Sequence, residues 1–237
     1  SDRVFLDRQL KIYGALCDDM AAVASKRGSA GNIAPEYVAT LIDTLASDSA
    51  IFTVDTGMCC VWGARYLRAT GRRRMLGSFN HGSMANALPM AIGAAFARPG
   101  QEVVALCGDG GLSMLLGDLA AIVEYKLPVK IVVFDNRSLG MVKLEMEVSG
   151  LPDWQTDMCN PDFESIARAM GIRGFTADSP DSVAEVLAEA FDTPGPVLVN
   201  VRTDPNALAM TRLILSGRAG EVVATAKSNL KHLRELV

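Results

Sequence analysis

The sequence predicts an α/β fold, in which a mostly parallel, doubly wound sheet carries helices on both faces. Three short apolar runs, at residues 50–54, 103–107 and 129–134, are typical of strands that are buried on both sides. Each run precedes a loop and then a helix-like segment, and this alternation is the pattern of a parallel sheet. A chain of 237 residues with 49% apolar and 21% charged residues is also long enough to bury one large core.

The other elements follow in a regular order. Residues 4–24 are helix-like and lead into a polar, glycine-containing stretch at 26–31, which predicts a linker. Apolar periodicity predicts helices at 37–46, 60–69, 83–97, 115–125, 163–170 and 182–191, and a last strand at 197–201. The sequence therefore divides into a helix and linker from a preceding domain (1–31), one α/β domain (32–205) and a carboxyl-terminal helical tail (206–237).

Charge and composition exclude several classes of protein. With 23 basic against 27 acidic residues, the net charge of −4 offers no basic surface for nucleic acid. The longest apolar runs fall short of the roughly 20 residues that span a bilayer, and no secretory signal opens the chain. Five cysteines without a CxxC pair favour a reducing compartment over a disulfide or zinc scaffold. We therefore expect a cytoplasmic protein.

The tail carries an amphipathic helical pattern. Its apolar residues share one helical face, and Lys227, Lys231 and Arg234 lie on others. A basic amphipathic helix can dock on the inner face of a membrane. Packing onto the sheet predicts the same pattern, so both interpretations stay open.

Three loops are expected at the carboxyl ends of parallel strands, where such sheets bind ligands. They are residues 55–58, 108–111 and 135–140. The glycines of 108–111 leave the backbone free to approach a phosphate. Neither a GxGxxG fingerprint nor a GK[ST] loop is present, so the two common phosphate motifs are excluded.

Asp109 and Asn136 end neighbouring strands of the predicted sheet and are candidate Mg²⁺ ligands. A carboxylate, an amide oxygen and the carbonyl of Ser138 are ligands of the type that Mg²⁺ prefers, with phosphate oxygens and water completing the shell. Taken singly, each loop is explained better by a tight turn or a helix cap than by a metal site. Because both polar groups fall at matching strand ends, the sequence predicts a metal site.

Gly-Asp-Gly around Asp109, followed by Asn136, resembles the signature of thiamine-diphosphate enzymes. Residues 73–87 and 127–134 are similar to the quinone-reducing pyruvate oxidases, also called pyruvate:quinone dehydrogenases. The resemblance implies the carboxyl-terminal diphosphate-binding domain of an enzyme that decarboxylates pyruvate or another 2-oxo acid. It further implies electron transfer through FAD, bound by a middle domain outside this chain, to a quinone or other acceptor.

The resemblance also implies a role for individual residues. Asp109, Asn136 and the Ser138 carbonyl would bind Mg²⁺. Backbone N–H groups of Gly110, Gly111 and Leu139, and the loop at Gly57 and Met58, would hold the diphosphate. Met84 would support the bent cofactor, the Gly82 carbonyl would accept from its 4′-amino group, and Glu145 would lie near the substrate as a catalytic residue. The implied cofactor-binding set is Gly57, Met58, Asn80, His81, Gly82, Met84, Gly108, Asp109, Gly110, Gly111, Asn136, Ser138, Leu139, Gly140 and Met141. For His81, a place beside the cofactor and a purely structural place in the loop stay equal alternatives.

Departures from the pattern leave alternatives open. Asp135 replaces the first of a usual asparagine pair, and Met141 stands where the quinone-linked relatives have an aromatic residue. Residues 139–142 instead look like acetolactate synthases, which makes carboligation the rival activity. No residue matches the glutamate that activates the cofactor's aminopyrimidine. In such enzymes it comes from the pyrimidine-binding domain of a partner subunit in a homo-oligomer, usually a dimer of dimers. A third interpretation is therefore a fragment or assembly module, inactive by itself.

Overall fold

A computed structural model describes residues 2–29 and 32–207 and contains eight strands and nine helices over those residues. The strands are β1 (Gly28–Ser29), β2 (Asn32–Ile33), β3 (Ile51–Val54), β4 (Arg74–Gly77), β5 (Val103–Gly108), β6 (Val129–Asp135), β7 (Arg173–Ala177) and β8 (Val197–Arg202). The helices are α1 (Asp2–Ala24), α2 (Pro35–Leu45), α3 (Met58–Tyr66), α4 (Ala87–Ala97), α5 (Asp109–Met114), α6 (Leu119–Glu124), α7 (Gly140–Val148), α8 (Phe163–Ala169) and α9 (Val183–Asp192). The predicted tail lies almost wholly in residues 208–237, outside the described residues.

Six strands form one parallel sheet in the order β4-β3-β5-β6-β8-β7, which confirms the predicted α/β class. The central strands β5 and β6 pair directly, from Val103 opposite Val129 to Gly108 opposite Phe134. Helices cover both faces of the sheet, because each face presents its own buried apolar cluster. One cluster includes Ile42 and Leu187, and the other includes Leu88 and Phe163.

Several boundaries differ from the sequence-based prediction. The edge strands β4 and β7 were not expected, because an edge strand is only partly buried and lacks a continuous apolar run. The predicted linker at 26–31 contains β1, which pairs with β2 in antiparallel fashion. The predicted helix at 115–125 is a short 3₁₀ turn at Leu116–Asp118 followed by α6. Over the described residues, no helix has the length and apolar character needed to cross a bilayer.

A buried ion pair ties α2 to the edge of the sheet. The Asp43 carboxylate lies 2.5 Å from Arg73 Nη1, and both side chains are more than nine-tenths buried. Arg73 also donates to the carbonyls of Asp43 and Ala46 and lies over the Phe52 ring. Burial by itself raises the pKa of Asp43, but the hydrogen bonds from Arg68 and Arg73 outweigh burial and hold that pKa below its usual range.

Asp43→Asn is therefore expected to lower the free energy of unfolding by about 3 kcal/mol, because it leaves the Arg73 guanidinium buried without a counter-charge. A group with a depressed folded pKa stabilises above its unfolded pKa, near 3.8, and loses that effect as the pH falls through the folded value. Urea unfolding at pH 7 and pH 3 measures both effects. Asp48→Asn, at an exposed ion pair with Arg72, is the matched control and should change stability little.

Candidate functional site

The carboxyl ends of β3, β5 and β6 meet at one cavity of about 240 Å³. Its walls come from the loops after these strands, from the segment before α4, and from the chain after β8. Parallel strands place these ends at one edge of the sheet, as the sequence predicts. The three loops singled out from the sequence therefore contribute to the same cavity.

The Gly-Asp-Gly-Gly segment is the first turn of α5 rather than a loop, because β5 ends at Gly108 and the helix begins at Asp109. Two of its glycines lie in close packing. A Cβ on residue 110 would lie 2.6 Å from Met84 Cε, and one on residue 111 would lie 2.1 Å from Asp55 Oδ2. The helix therefore presents bare backbone to the cavity, with Met84 directly beside it.

Asp55 holds two walls of the cavity together. Its buried carboxylate accepts the Ala87 N–H at 2.8 Å and the Gly108 N–H at 3.2 Å. Burial raises the pKa of Asp55, although these N–H groups and that of Asn86 oppose the rise. Helix α4 begins at Ala87 and not at Ser83 as predicted, and the Asp55 carboxylate accepts the N–H of this first helical residue. Thr53 also donates to the Ala87 carbonyl. The turn before α4, in which Ala85 has φ +65°, places Met84 in the wall of the cavity.

Asp109 is a buried carboxylate at the cavity, with only 3% of its surface exposed. Its Oδ1 accepts the Gly110 N–H at 2.8 Å, and its Oδ2 accepts from Arg137 N and from Asn160 Nδ2, both at 2.7 Å. Burial raises the pKa of Asp109; the hydrogen bonds lower it, and the nearby Asp135 raises it further. A cation in the cavity would offset the unfavourable burial of this charge.

Asn136 and Ser138 lie across the cavity from α5. The Asn136 side-chain oxygen accepts the Ser138 N–H at 3.0 Å, which leaves one of its two lone pairs for another partner. The Ser138 hydroxyl is buried and has no hydrogen-bond partner. A buried polar atom without a partner is unfavourable unless a ligand or water completes it.

One backbone donor differs from expectation. The Leu139 N–H, expected at the diphosphate, donates instead to the Thr156 carbonyl at 2.8 Å, because the segment around Thr156 pairs with the loop after β6. The Gly110 N–H is likewise engaged by its neighbour Asp109. Of the three expected donors, Gly111 N–H is the one for which the structure shows no competing hydrogen bond among the described contacts.

The cavity collects most of the residues predicted from the sequence. Its lining includes Gly57, Met58, Gly82, Met84, Gly108, Asp109, Gly110, Gly111, Asn136, Ser138, Leu139, Gly140 and Met141. Asn80 and His81 lie in an exposed turn before α4, and Glu145 lies exposed on α7, all three outside that lining. Their proposed roles stay predictions.

Sequence reasoning missed several residues at the site. Asp55, Trp62 and Thr203 line the cavity, and Asn160 contacts Asp109. The signal for Asp55 is local, since it is a carboxylate directly after a buried strand and opens the loop at residues 55–58. Nothing local marks Asn160, because its partner is 51 positions away in the chain.

The metal donors are chemically mixed. Over the described residues, no three His, Cys, Asp or Glu side chains cluster in a way that could hold a metal. A site here would depend on one carboxylate, one amide oxygen, a backbone carbonyl and oxygens of the ligand. Such a site suits Mg²⁺, which is commonly bound by one or two carboxylates together with substrate phosphates.

Comparisons with known proteins agree with this geometry. Residues 55–201 match the family described as thiamine pyrophosphate enzyme, C-terminal TPP binding domain. YdaP of Bacillus subtilis, named as a thiamine pyrophosphate-containing protein, is 34% identical over 167 residues, covering 70% of this chain and 29% of YdaP. The acetolactate synthase large subunit of Pyropia yezoensis is 34% identical over 178 residues, 74% of this chain and 30% of that protein. IlvB1 of Mycobacterium tuberculosis, also an acetolactate synthase large subunit, is 33% identical over 168 residues, 68% and 27%. The chain spans less than a third of the length of these relatives.

Proposed function

This chain belongs to the thiamine pyrophosphate enzymes, as their C-terminal TPP binding domain, and on that premise we propose that it serves a carboligase of the acetolactate synthase type. It would hold the diphosphate of thiamine diphosphate through Mg²⁺, while the complete enzyme decarboxylates pyruvate or a related 2-oxo acid and joins the product to a second 2-oxo acid. The observation that carries the proposal is the meeting of Asp109, Asn136 and the two glycines of α5 at one cavity. Relatives named acetolactate synthase support the choice of reaction.

The residues at the cavity fit the cofactor. Asp109 Oδ1 accepts one N–H and keeps a free lone pair. The Asn136 side-chain oxygen likewise accepts one N–H and keeps a free lone pair. These two atoms and the Ser138 carbonyl would hold Mg²⁺. The bare backbone at Gly110 and Gly111 would admit the diphosphate, since any side chain there would meet Met84 or Asp55.

This chain contributes binding and orientation. Thiamine diphosphate supplies, when bound, the electron sink that lets a 2-oxo acid lose carbon dioxide. Asp55 fixes the Met84 turn against α5, so the wall that faces the cofactor is preorganised before the ligand enters. Trp62, Met58 and Met141 line the same cavity with apolar surface and exclude water from it.

Binding is tested with the chain itself. Trp62 lines the cavity and is 3% exposed, whereas Trp154 is 71% exposed and lies outside the lining. We expect thiamine diphosphate with Mg²⁺ to change tryptophan fluorescence in the wild type and in Trp154→Phe, and EDTA to reverse the change. Trp62→Phe should lose most of it. If calorimetry shows that the wild type binds no thiamine diphosphate with Mg²⁺ present, the proposed site is wrong.

A second candidate function is pyruvate oxidation through FAD, favoured by the similarity of residues 73–87 and 127–134 to quinone-reducing pyruvate oxidases. An assay of the complete enzyme with pyruvate, FAD and a quinone analogue separates the two. Acetolactate without quinone reduction supports carboligation, and quinone reduction without acetolactate supports oxidation.

The 237 residues alone are expected to show no turnover, since no glutamate in them matches the one that activates the aminopyrimidine. We also propose that the complete enzyme is a homo-oligomer in the cytoplasm and that its tail contacts the membrane surface.

A further inference from the structure

Asn160 joins two buried carboxylates. Its Nδ2 donates one hydrogen to Asp109 Oδ2 and one to Asp135 Oδ1, both at 2.7 Å. The opposite amide orientation would place an oxygen against two carboxylate oxygens, so the charges fix which atom faces them. The Asn160 oxygen is buried without a partner, so its orientation is set by the carboxylates alone.

Because of this contact, the two oxygens of Asp109 accept different numbers of hydrogen bonds. Oδ2 accepts from both Asn160 and the Arg137 N–H, which fills its two lone pairs. Oδ1 accepts only the Gly110 N–H and keeps one lone pair. Asp109 can therefore offer a cation one oxygen, not two.

The donor is itself held in place. Its second acceptor, Asp135, is 4% exposed and uses its other oxygen for a separate hydrogen bond from Asn200 Nδ2 at 3.1 Å. The segment that carries Asn160 pairs with the loop after β6, where Met158 N donates to the Arg137 carbonyl at 2.8 Å. An ion pair of 3.3 Å between Lys143 and Asp153 attaches the same segment to α7.

We propose that Asn160 is a positioning residue that makes Asp109 a monodentate ligand and thereby selects Mg²⁺ over Ca²⁺. Mg²⁺ requires a compact octahedral shell at about 2.1 Å, whereas Ca²⁺ takes six to eight oxygens at about 2.3–2.6 Å and readily accepts a bidentate carboxylate. With Asn160 in place, the second oxygen is withheld, so Ca²⁺ loses the bidentate carboxylate and needs another ligand, such as water, to fill its larger shell. The inference rests on the proposed function, because it concerns the same metal site.

The test compares Asn160→Leu and Asn160→Ala with the wild type in the presence of thiamine diphosphate. Dissociation constants for Mg²⁺ and Ca²⁺ come from calorimetry and from Trp62 fluorescence. The wild type should prefer Mg²⁺ by at least about tenfold. Groups that orient metal ligands typically change metal affinity about 10–100-fold, so each variant should reduce the Mg²⁺/Ca²⁺ preference by about tenfold or more.

Asn200→Leu is the matched control. It removes a buried amide that donates to Asp135 and touches no atom of Asp109 in the described contacts, so the preference should stay within about threefold of the wild type. An equal loss of preference in Asn200→Leu overturns the inference, because the effect would then be general loosening. A wild type without preference overturns it as well, even if no Asn160 variant folds. Failure of the wild type to bind thiamine diphosphate with either metal rejects the proposed function instead.

Discussion

Replacing Asp109 with asparagine is expected to weaken Mg²⁺-dependent binding of thiamine diphosphate on the order of 100-fold or more. Even groups that only orient metal ligands change metal affinity about 10–100-fold, and Asp109 supplies the one carboxylate of the proposed ligand set. The asparagine keeps the volume and removes the charge. Calorimetry with thiamine diphosphate and Mg²⁺ measures the loss directly.

Without ligand, two effects of the same variant oppose each other. Burial raises the pKa of Asp109, so the fold favours its neutral form. A group with a raised folded pKa contributes stability below its unfolded pKa, near 3.8, and loses it as the pH rises through the folded value. The metal-free fold therefore disfavours the ionised form of Asp109. An asparagine, however, has one side-chain oxygen, and its amide nitrogen would face at least one of the N–H donors that Asp109 accepts from Gly110, Arg137 and Asn160. Because relief of the buried charge partly offsets this loss, we expect only a modest drop in the melting temperature of ligand-free Asp109→Asn.

Asp157→Asn provides the control, because Asp157 is exposed on the neighbouring loop. It should keep the rise in melting temperature that thiamine diphosphate and Mg²⁺ give the wild type, and Asp109→Asn should lose that rise. An undiminished rise in Asp109→Asn would contradict the metal site.

Gly111→Ala is expected to destabilise the protein by about 3 kcal/mol, the upper part of the range for overpacked interiors. The new Cβ would lie 2.1 Å from Asp55 Oδ2 and 3.3 Å from the Ala85 backbone nitrogen. The Asp55 side chain cannot move away easily, since its carboxylate is buried and accepts hydrogen bonds from the N–H groups of Ala87 and Gly108. The variant should also lose cofactor binding, because relief of the clash moves the Met84 turn or α5.

Two other glycines make this prediction specific. Gly93 lies within α4, and a Cβ there meets nothing within 4 Å; Gly93→Ala should be neutral or stabilise by up to about 1 kcal/mol through helix propensity. Gly110→Ala meets the flexible end of Met84 at 2.6 Å, so it should cost less stability than Gly111→Ala. Urea unfolding of the three variants gives the order, and a Gly111→Ala protein as stable as Gly93→Ala would disprove the role of Asp55.

Much of the site could be anticipated because its signals are local. Buried parallel strands appear as apolar runs, and their carboxyl ends are identified by the polar residues that follow. Asp109 and Asn136 could therefore be paired before the structure was known. Glycine suggested a loop at 108–111, but the structure has a helix from Asp109, in which a side chain at 110 or 111 would meet Met84 or Asp55.

The α/β class, the three strand-end segments that line the cavity and the candidate metal ligands were thus predicted from the sequence alone, since hydrophobic periodicity and strand ends are encoded over a few residues. Only the tertiary structure decided three features of the site: the hydrogen bonds that Asp55 accepts, the helical start at Asp109 and the contacts of Asn160. The hydrogen bonds of the Asp55 and Asn160 side chains join residues 25 to 53 positions apart, and a buried carboxylate finds its donors through packing, which no short stretch of sequence specifies.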